Sequence, residues 1–192
     1  MNKKLLLALL LCAAPALKAA EIEFAESVPE ETVYGSTLTS RPAQVWLEMI
    51  NGAVKTLDFE EFYIADKPGE ALEPVLAAVK AAAARGVKVR FIVEKAMMGE
   101  TSKALPALTA EKNIEARVIE FRKIAGGVQH AKFFIVDGRE VYVGSQNFDW
   151  RALSQIHELG ARIKSERAAR DFGRIFEADW ALAGGADPRT LF

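Results

Sequence analysis

The run from His130 to Asn147 constrains the fold more than any other part of the chain. Residues 132–137 (KFFIVD) and 140–145 (EVYVGS) are short, rich in β-branched and aromatic residues, and separated by a Gly138-Arg139 turn, so they read as paired strands of a hairpin. Side chains alternate along a strand, which puts His130 and Lys132 on the same face, two residues apart. On the partner strand Val141, Val143 and Ser145 share a face, and Asn147 follows just past its end. The hairpin is therefore expected to bring an imidazole, an ammonium, a hydroxyl and an amide to one rim. A nucleophile or base, a fixed cation and two neutral hydrogen-bonding groups are what a bound phosphodiester needs.

Helix and strand patterns alternate ahead of this hairpin. Ser40 and Pro42 mark a helix start, and residues 43–54 carry Val45, Trp46, Met49 and Ile50 at helical spacing. Residues 57–64 are strand-like, 70–85 form an Ala-rich helix stopped by Gly86, and 87–93 alternate as a strand. A helix over 103–112 and a strand over 114–121 follow. The Gly126-Gly127 pair then breaks the chain. It serves either a close backbone approach to a ligand or a plain flexible loop. Beyond the hairpin, 149–155 reads as a helical turn, 157–163 as a strand, and 166–182 as an amphipathic helix with Phe172, Ile175, Phe176 and Trp180. The alternation predicts an α/β fold with a mixed, largely parallel central sheet flanked by helices. The acidic stretch 21–31, with Pro29, reads as a lead-in, and 184–192 as a loose tail.

The first residues carry a different signal. Met1-Asn2-Lys3-Lys4 followed by the apolar run 5–14 has the charged start and short hydrophobic core of a secretory signal peptide, placed at 1–20. Ala14 and Ala16, or Ala19 and Ala20, offer cleavage sites. Export to the periplasm or beyond is the expected destination. Cleavage would remove Cys12, the chain's one cysteine, so the mature domain must rest on its core alone. Losing Lys3, Lys4 and Lys18 takes the formal charge from −1 to about −4, which argues against indiscriminate duplex binding.

The spacing H-x-K-x4-D-x6-G-S-x-N, filled by His130, Lys132, Asp137, Gly144, Ser145 and Asn147, resembles the HKD motif of the phospholipase D superfamily. The likeness continues through Phe148-Asp149-Trp150-Arg151 and Glu158-Leu159-Gly160, and covers about residues 33–183, with the motif region at 124–151. In its single-motif layout the chain is similar to small bacterial secreted endonucleases. The run through 127–160 looks most like the first lobe of two-lobed relatives that include animal endolysosomal exonucleases.

The resemblance implies an α-β-α sandwich and a metal-independent phosphodiesterase without cofactors. In such a mechanism one imidazole attacks phosphorus to give a phosphohistidine, and a second protonates the leaving oxygen and then activates water. Lys132 and Asn147 would hold the non-bridging oxygens, and Ser145 would add a hydrogen bond. Glu158 stands where relatives carry a carboxylate that orients the imidazole. Asp137, at an odd offset from His130, falls on the other face of its strand and is expected to be structural, as an ion pair or turn cap beneath the site. Gly144 is likewise a structural position of the motif. His157, the other histidine, points to the face opposite Glu158 and lacks a lysine at the motif spacing. Arg122 and Lys123 read as solvated charges.

Because the chemistry wants two motifs and the chain has one, a homodimer with its active site at a twofold interface is expected, the alternative being a pair with a different motif-bearing chain. Nuclease action on DNA or RNA leads the substrate classes. Phospholipid headgroup hydrolysis and a non-catalytic binding module on the same fold are the alternatives, and no exposed amphipathic stretch suggests a membrane-contacting rim.

Overall fold

The structure, a computed structural model, describes residues 20–191. Nearly all of the expected signal segment lies outside these residues. Strand β1 (Glu21–Ser27) opens the described chain, followed by α1 (Pro42–Asn51), β2 (Thr56–Glu61) and the two-residue β3 (Ile64–Ala65). Next come α2 (Glu73–Ala84), β4 (Lys88–Glu94), the short helices α3 (Met98–Thr101) and α4 (Leu105–Thr109), and β5 (Ile114–Ile119). A helical turn, α5 (Phe121–Ile124), leads to β6 (Lys132–Val136), β7 (Glu140–Gly144), the two-residue β8 (Phe148–Asp149), α6 (Trp150–Ser154), β9 (Glu158–Lys164) and α7 (Glu166–Ala183).

Among the described residues, seven strands form one sheet in the order β1-β9-β7-β6-β2-β4-β5. β2, β4 and β5 are parallel neighbours, whereas β6 and β9 run against their neighbours on both sides. Five strands thus point one way in a mixed sheet, as the α/β reading expected. The antiparallel pairs gather around β6, β7 and β9: β6 and β7 are joined by a tight hairpin, while β2 and β1 pair with β6 and β9 from far away in the sequence.

Strand β6 shows why the sheet is a middle layer. All five of its residues are buried, with Phe134 and Val136 facing one helical layer and Phe133 and Ile135 the other. On the first side, α1 and α2 cover a core in which Trp46, Phe59, Phe134, Tyr142 and Phe148 stack or meet edge to face. On the other side, α7 lays Phe172, Phe176 and Trp180, four residues apart, against the sheet. The Ser165 hydroxyl caps α7 by accepting from the Ala168 N–H at 3.3 Å.

Three local expectations are corrected. Residues 21–27 are not a lead-in. They form the edge strand β1, paired antiparallel with β9 from Glu21↔Lys164 to Ser27↔Glu158, so the sheet begins ahead of residue 33. The acidity that suggested a loop supplies cross-strand partners: Glu21 meets Lys164 at 2.6 Å and Glu23 meets Arg162 at 3.6 Å. In the tail, Pro188–Thr190 forms a 3₁₀ turn whose start is capped by Asp187.

The hairpin turn is centred one residue earlier than expected. Asp137 (φ 53°) and Gly138 (φ 64°) both adopt the left-handed conformation, and the Arg139 N–H donates to the Val136 carbonyl at 3.0 Å. Aspartate and glycine tolerate this backbone better than most residues.

Candidate active site

The site lies at the carboxyl ends of the parallel strands, where open α/β sheets gather ligands. Antiparallel register puts Lys132, first residue of β6, opposite Glu61, last residue of β2. Lys132 is buried, and its ammonium donates to the His130 carbonyl oxygen at 2.9 Å and lies 5.3 Å from the centre of the Phe62 ring. His130 itself is exposed. Its ring meets Phe62 edge to face at 4.4 Å and makes no side-chain hydrogen bond among the described residues. The segment carrying His130 is braced from behind. Buried Gln129 donates through its amide to Glu60 Oε1 at 2.6 Å and through its backbone N–H to Glu94 Oε2 at 3.1 Å. Residue 129 is thereby tied to the ends of β2 and β4.

Parity across β7 and β9 adds Tyr142 and Glu158 to the face of Lys132. Glycines make the room. A side chain on Gly160 would collide with the Tyr142 hydroxyl and with Gln146 Oε1, and one on Gly144 would collide with Gln146 Oε1 and the Gly160 backbone. The motif glycine at 144 therefore lets Gln146 fold under the site, where it accepts from the Tyr142 hydroxyl at 3.2 Å.

Electrostatically this is one ammonium between two reluctant carboxyls. Burial pushes the Glu61 carboxyl well above its ordinary value, against the pull of Lys132. Burial likewise raises Glu158 to about 7, again opposed by Lys132 and assisted by Asp149. Lys132 is depressed by burial, with Glu61 and Glu158 working the other way. The His130 ring is held below its usual value by burial and then by the Lys132 charge. Glu61 Oε2, Glu158 Oε2, Asn147 Oδ1 and Gln146 Nε2 are buried without hydrogen-bond partners. Polar groups left bare like this are costly unless a ligand or water serves them.

The remaining expected residues divide. Asn147 is half-buried. Ser145 does not present a free hydroxyl: its Oγ is bound to the Leu159 backbone, at 3.4 Å to the carbonyl and 3.3 Å from the N–H. Register also assigns it to the face of Val141 and Val143, opposite Lys132. Asp137 lies at the far end of β6, roughly 20 Å along the strand from His130 rather than beneath it. Its buried carboxylate accepts the N–H groups of Val54, Lys55 and Thr56 at 2.7–3.3 Å and meets Arg139 at 3.4 Å. His157 faces away and pairs with Glu26 at 2.9 Å. Lys123 is a solvated partner of Glu120 at 2.8 Å.

Glu61 and Phe62 were not singled out from the sequence, although a carboxylate and an aromatic ring closing a strand-like run were a usable sign. Also unforeseen is the buried Asp149, which accepts from the Tyr63 hydroxyl at 2.8 Å and grips the Arg151 guanidinium at 2.7 Å. No group of three His, Cys, Asp or Glu side chains among the described residues is arranged to hold a metal ion.

A buried lysine under an exposed histidine, at the mouth of a helix-flanked mixed sheet, places the chain in a defined class. It belongs to the phospholipase D-like family: the family model described as "Cardiolipin synthase, PLD-like domain" matches residues 46–180. Among its relatives is the 5'-3' exonuclease PLD3 of Bos taurus, 36% identical over 191 residues that cover 92% of this chain and 39% of that one. The mouse 5'-3' exonuclease PLD4 is 31% identical over 169 residues, 82% of this chain and 33% of that one. The chain thus spans about two fifths or less of these curated relatives. Two solved structures share its fold over nearly their full length. Nuc from Salmonella typhimurium, a phospholipase D family member, superposes with a TM-score of 0.68 over 85% of this chain and 96% of its own, at 19% identity. NucT from Helicobacter pylori gives 0.63 over 84% and 98%, at 16% identity.

Proposed function

We propose that the protein is a phosphodiesterase that cleaves nucleic acid through a phosphohistidine at His130, exported from the cytoplasm and active as a homodimer. One observation carries this reading. The Lys132 ammonium is bonded to the main chain of His130, so the cation that would receive a phosphodiester oxygen is fixed beside the free imidazole.

In the first step a neutral His130 ring nitrogen attacks phosphorus, forming the N–P bond as the P–O bond to the leaving strand breaks. The proton for the departing alkoxide comes from His130 of a second copy, since His157 is turned away and paired with Glu26. Water then attacks the phosphohistidine and gives its proton back to that second ring. Lys132 and Asn147 offset charge on the non-bridging oxygens, Glu158 positions the imidazole, and Ser145 holds the rim through Leu159. Fixed cations do this work without a metal. Support for a polynucleotide substrate comes from the exonuclease relatives, while the family description names a phospholipid enzyme, so lipid is the necessary control.

The decisive experiment mixes wild type with His130→Ala and measures cleavage of plasmid and oligonucleotide in the presence of chelator, with phosphatidylcholine vesicles in parallel. A shared site predicts activity falling as the square of the wild-type fraction. A linear fall refutes the dimer, loss of activity in chelator refutes metal independence, and hydrolysis confined to the vesicles refutes the nuclease reading.

A further inference from the structure

His130 stands on a stretch of chain that no sheet ladder holds. β6 begins only at Lys132, and behind the histidine Gly126 and Gly127 both adopt the left-handed conformation (φ 76° each). What fixes the segment is a polar cluster on the α7 side of the sheet. Gln129 is buried, and so are Glu60 and Glu94, which receive its side-chain and backbone N–H groups. Glu94 is itself pinned, its other oxygen accepting the Ala96 N–H at 3.1 Å. Glu60 Oε2 has no N–H or O–H donor among the described residues, and the Asp179 carboxyl of α7 lies within hydrogen-bonding reach of the Glu60 carboxyl, so the two acids hold a proton between them. Across the sheet Glu60 is flanked by Ile92 and Phe133, both apolar. Apolar side chains of similar size would serve stability here as well or better, because buried acids and amides recover their desolvation cost only through well-placed partners.

We propose that Gln129 is the positioning residue of His130, held in place by Glu60 and Glu94 and, through Glu60, by Asp179 of α7. The proposal rests on the reading of His130 as the nucleophile and adds what aims it. The side chain and the backbone of residue 129 are gripped from two different strands, which fixes the peptide leading into His130. The ring makes no side-chain hydrogen bond of its own among the described residues, so it inherits that direction and settles edge to face against Phe62 at 4.4 Å. Lys132 is carried by β6, and Asn147 follows β7. Loosening residue 129 therefore disturbs the attack on phosphorus more than the capture of the diester. Through Asp179 the long helix α7 takes part in that aim.

The test uses the full chain and single variants of similar side-chain size. Gln129→Met and Glu60→Leu remove the tie, whereas Glu60→Gln keeps an acceptor for Gln129 and offers Asp179 a donor. On an oligonucleotide substrate the first two are expected to lower kcat about tenfold or more, inside the range of ~10²-fold for a displacement of ~1 Å, with KM inside about twofold and Glu60→Gln near wild type. Circular dichroism checks that each variant is folded, and the Glu60 pair decides if Gln129→Met is not. Wild-type kcat in folded Gln129→Met overturns the proposal, as does a KM that rises in step with the loss, or an equal loss in Glu60→Gln and Glu60→Leu. A second readout needs no catalysis. The chain has two histidines, so proton NMR reads the His130 ring against that of His157. Gln129→Met should shift the His130 ring signals, as the ring leaves Phe62, and leave those of His157 in place. Unmoved His130 signals overturn the proposal whatever the kinetics. A wild-type chain that shows this shift on substitution but cuts no polynucleotide sinks the nuclease reading and leaves the aiming role standing.

Discussion

Lys132 donates to the backbone oxygen of His130 at 2.9 Å, so the ammonium is fixed to the main chain that carries the imidazole. Removing either should therefore be felt at the chemical step. His130→Ala is expected to abolish turnover with the fold intact, because the ring is exposed and anchors nothing. Lys132→Ala should lower kcat by roughly 10²–10³, the range for losing one donor to transition-state charge. Single-turnover cleavage alongside circular dichroism checks both. Full activity in Lys132→Ala would remove it from the mechanism.

Activity should peak on the acidic side of neutrality. At low pH the His130 ring is protonated and cannot attack. Its depressed value brings the neutral form in early as pH rises. Above about 7 Glu158 ionises and adds a negative charge beside Lys132, which repels the incoming diester. Glu158→Gln should therefore lift the alkaline limb of the kcat/KM profile. An unmoved limb would assign it to the second histidine instead.

Asp137 should matter for stability and not for chemistry. Asp137→Ala strips acceptors from three backbone N–H groups at the start of β2, and hydrogen bonds to charged groups put the cost at about 2–4 kcal/mol. Denaturant melts would show the loss, while kcat per folded molecule should hold. A fully stable, inactive variant would reverse this assignment.

Stability itself should decline from pH 5 to pH 8. Burial, with the neighbouring Asp179, holds the Glu60 carboxyl at about 8. A raised carboxyl contributes fully below its unfolded value and loses that contribution as pH climbs through the folded one. Glu158, at about 7, acts in the same direction. Glu26, held near 2 by the Ser36 N–H and then by His157 and Thr39, acts oppositely and only in strong acid. Melting temperature against pH should thus slope down, and Glu60→Gln should flatten it. A wild-type maximum at pH 8 would contradict this.

How far the sequence was legible follows from the range of each relationship. Strand periodicity paired Lys132 with His130, but His130 lies ahead of β6, and the two residues meet through the His130 carbonyl and the Phe62 ring. Ser145 was grouped with them from the same rule and is not there. A turn on Gly138-Arg139 would set Lys132 opposite Ser145, but the turn on Asp137-Gly138 shifts the ladder by one residue to Phe134↔Tyr142 and reverses the face. Glu61 could not be found by period at all. Its place opposite Lys132 depends on the register between strands some seventy residues apart, which no local pattern encodes. The acidic β1 was missed for a similar reason: its charges make sense only against Arg162 and Lys164.

That edge pairing also sets the order in which the chain is completed. Ser27 and Glu158 are 131 residues apart, and among the described strands β9 is the one sheet neighbour of β1. The first described strand to be synthesised is thus among the last to be paired. Until β9 arrives, the edge of β1 that will pair with it stays open, its other edge being bridged by Ser40, and Ile22 and Phe24 remain more than half exposed even in the finished fold. Pairing at such separation closes slowly and exposes the growing chain to association in the meantime. The glutamates at 21, 23 and 26 put like charge on both faces of that waiting strand, so two unfinished chains repel each other where they would otherwise zip together.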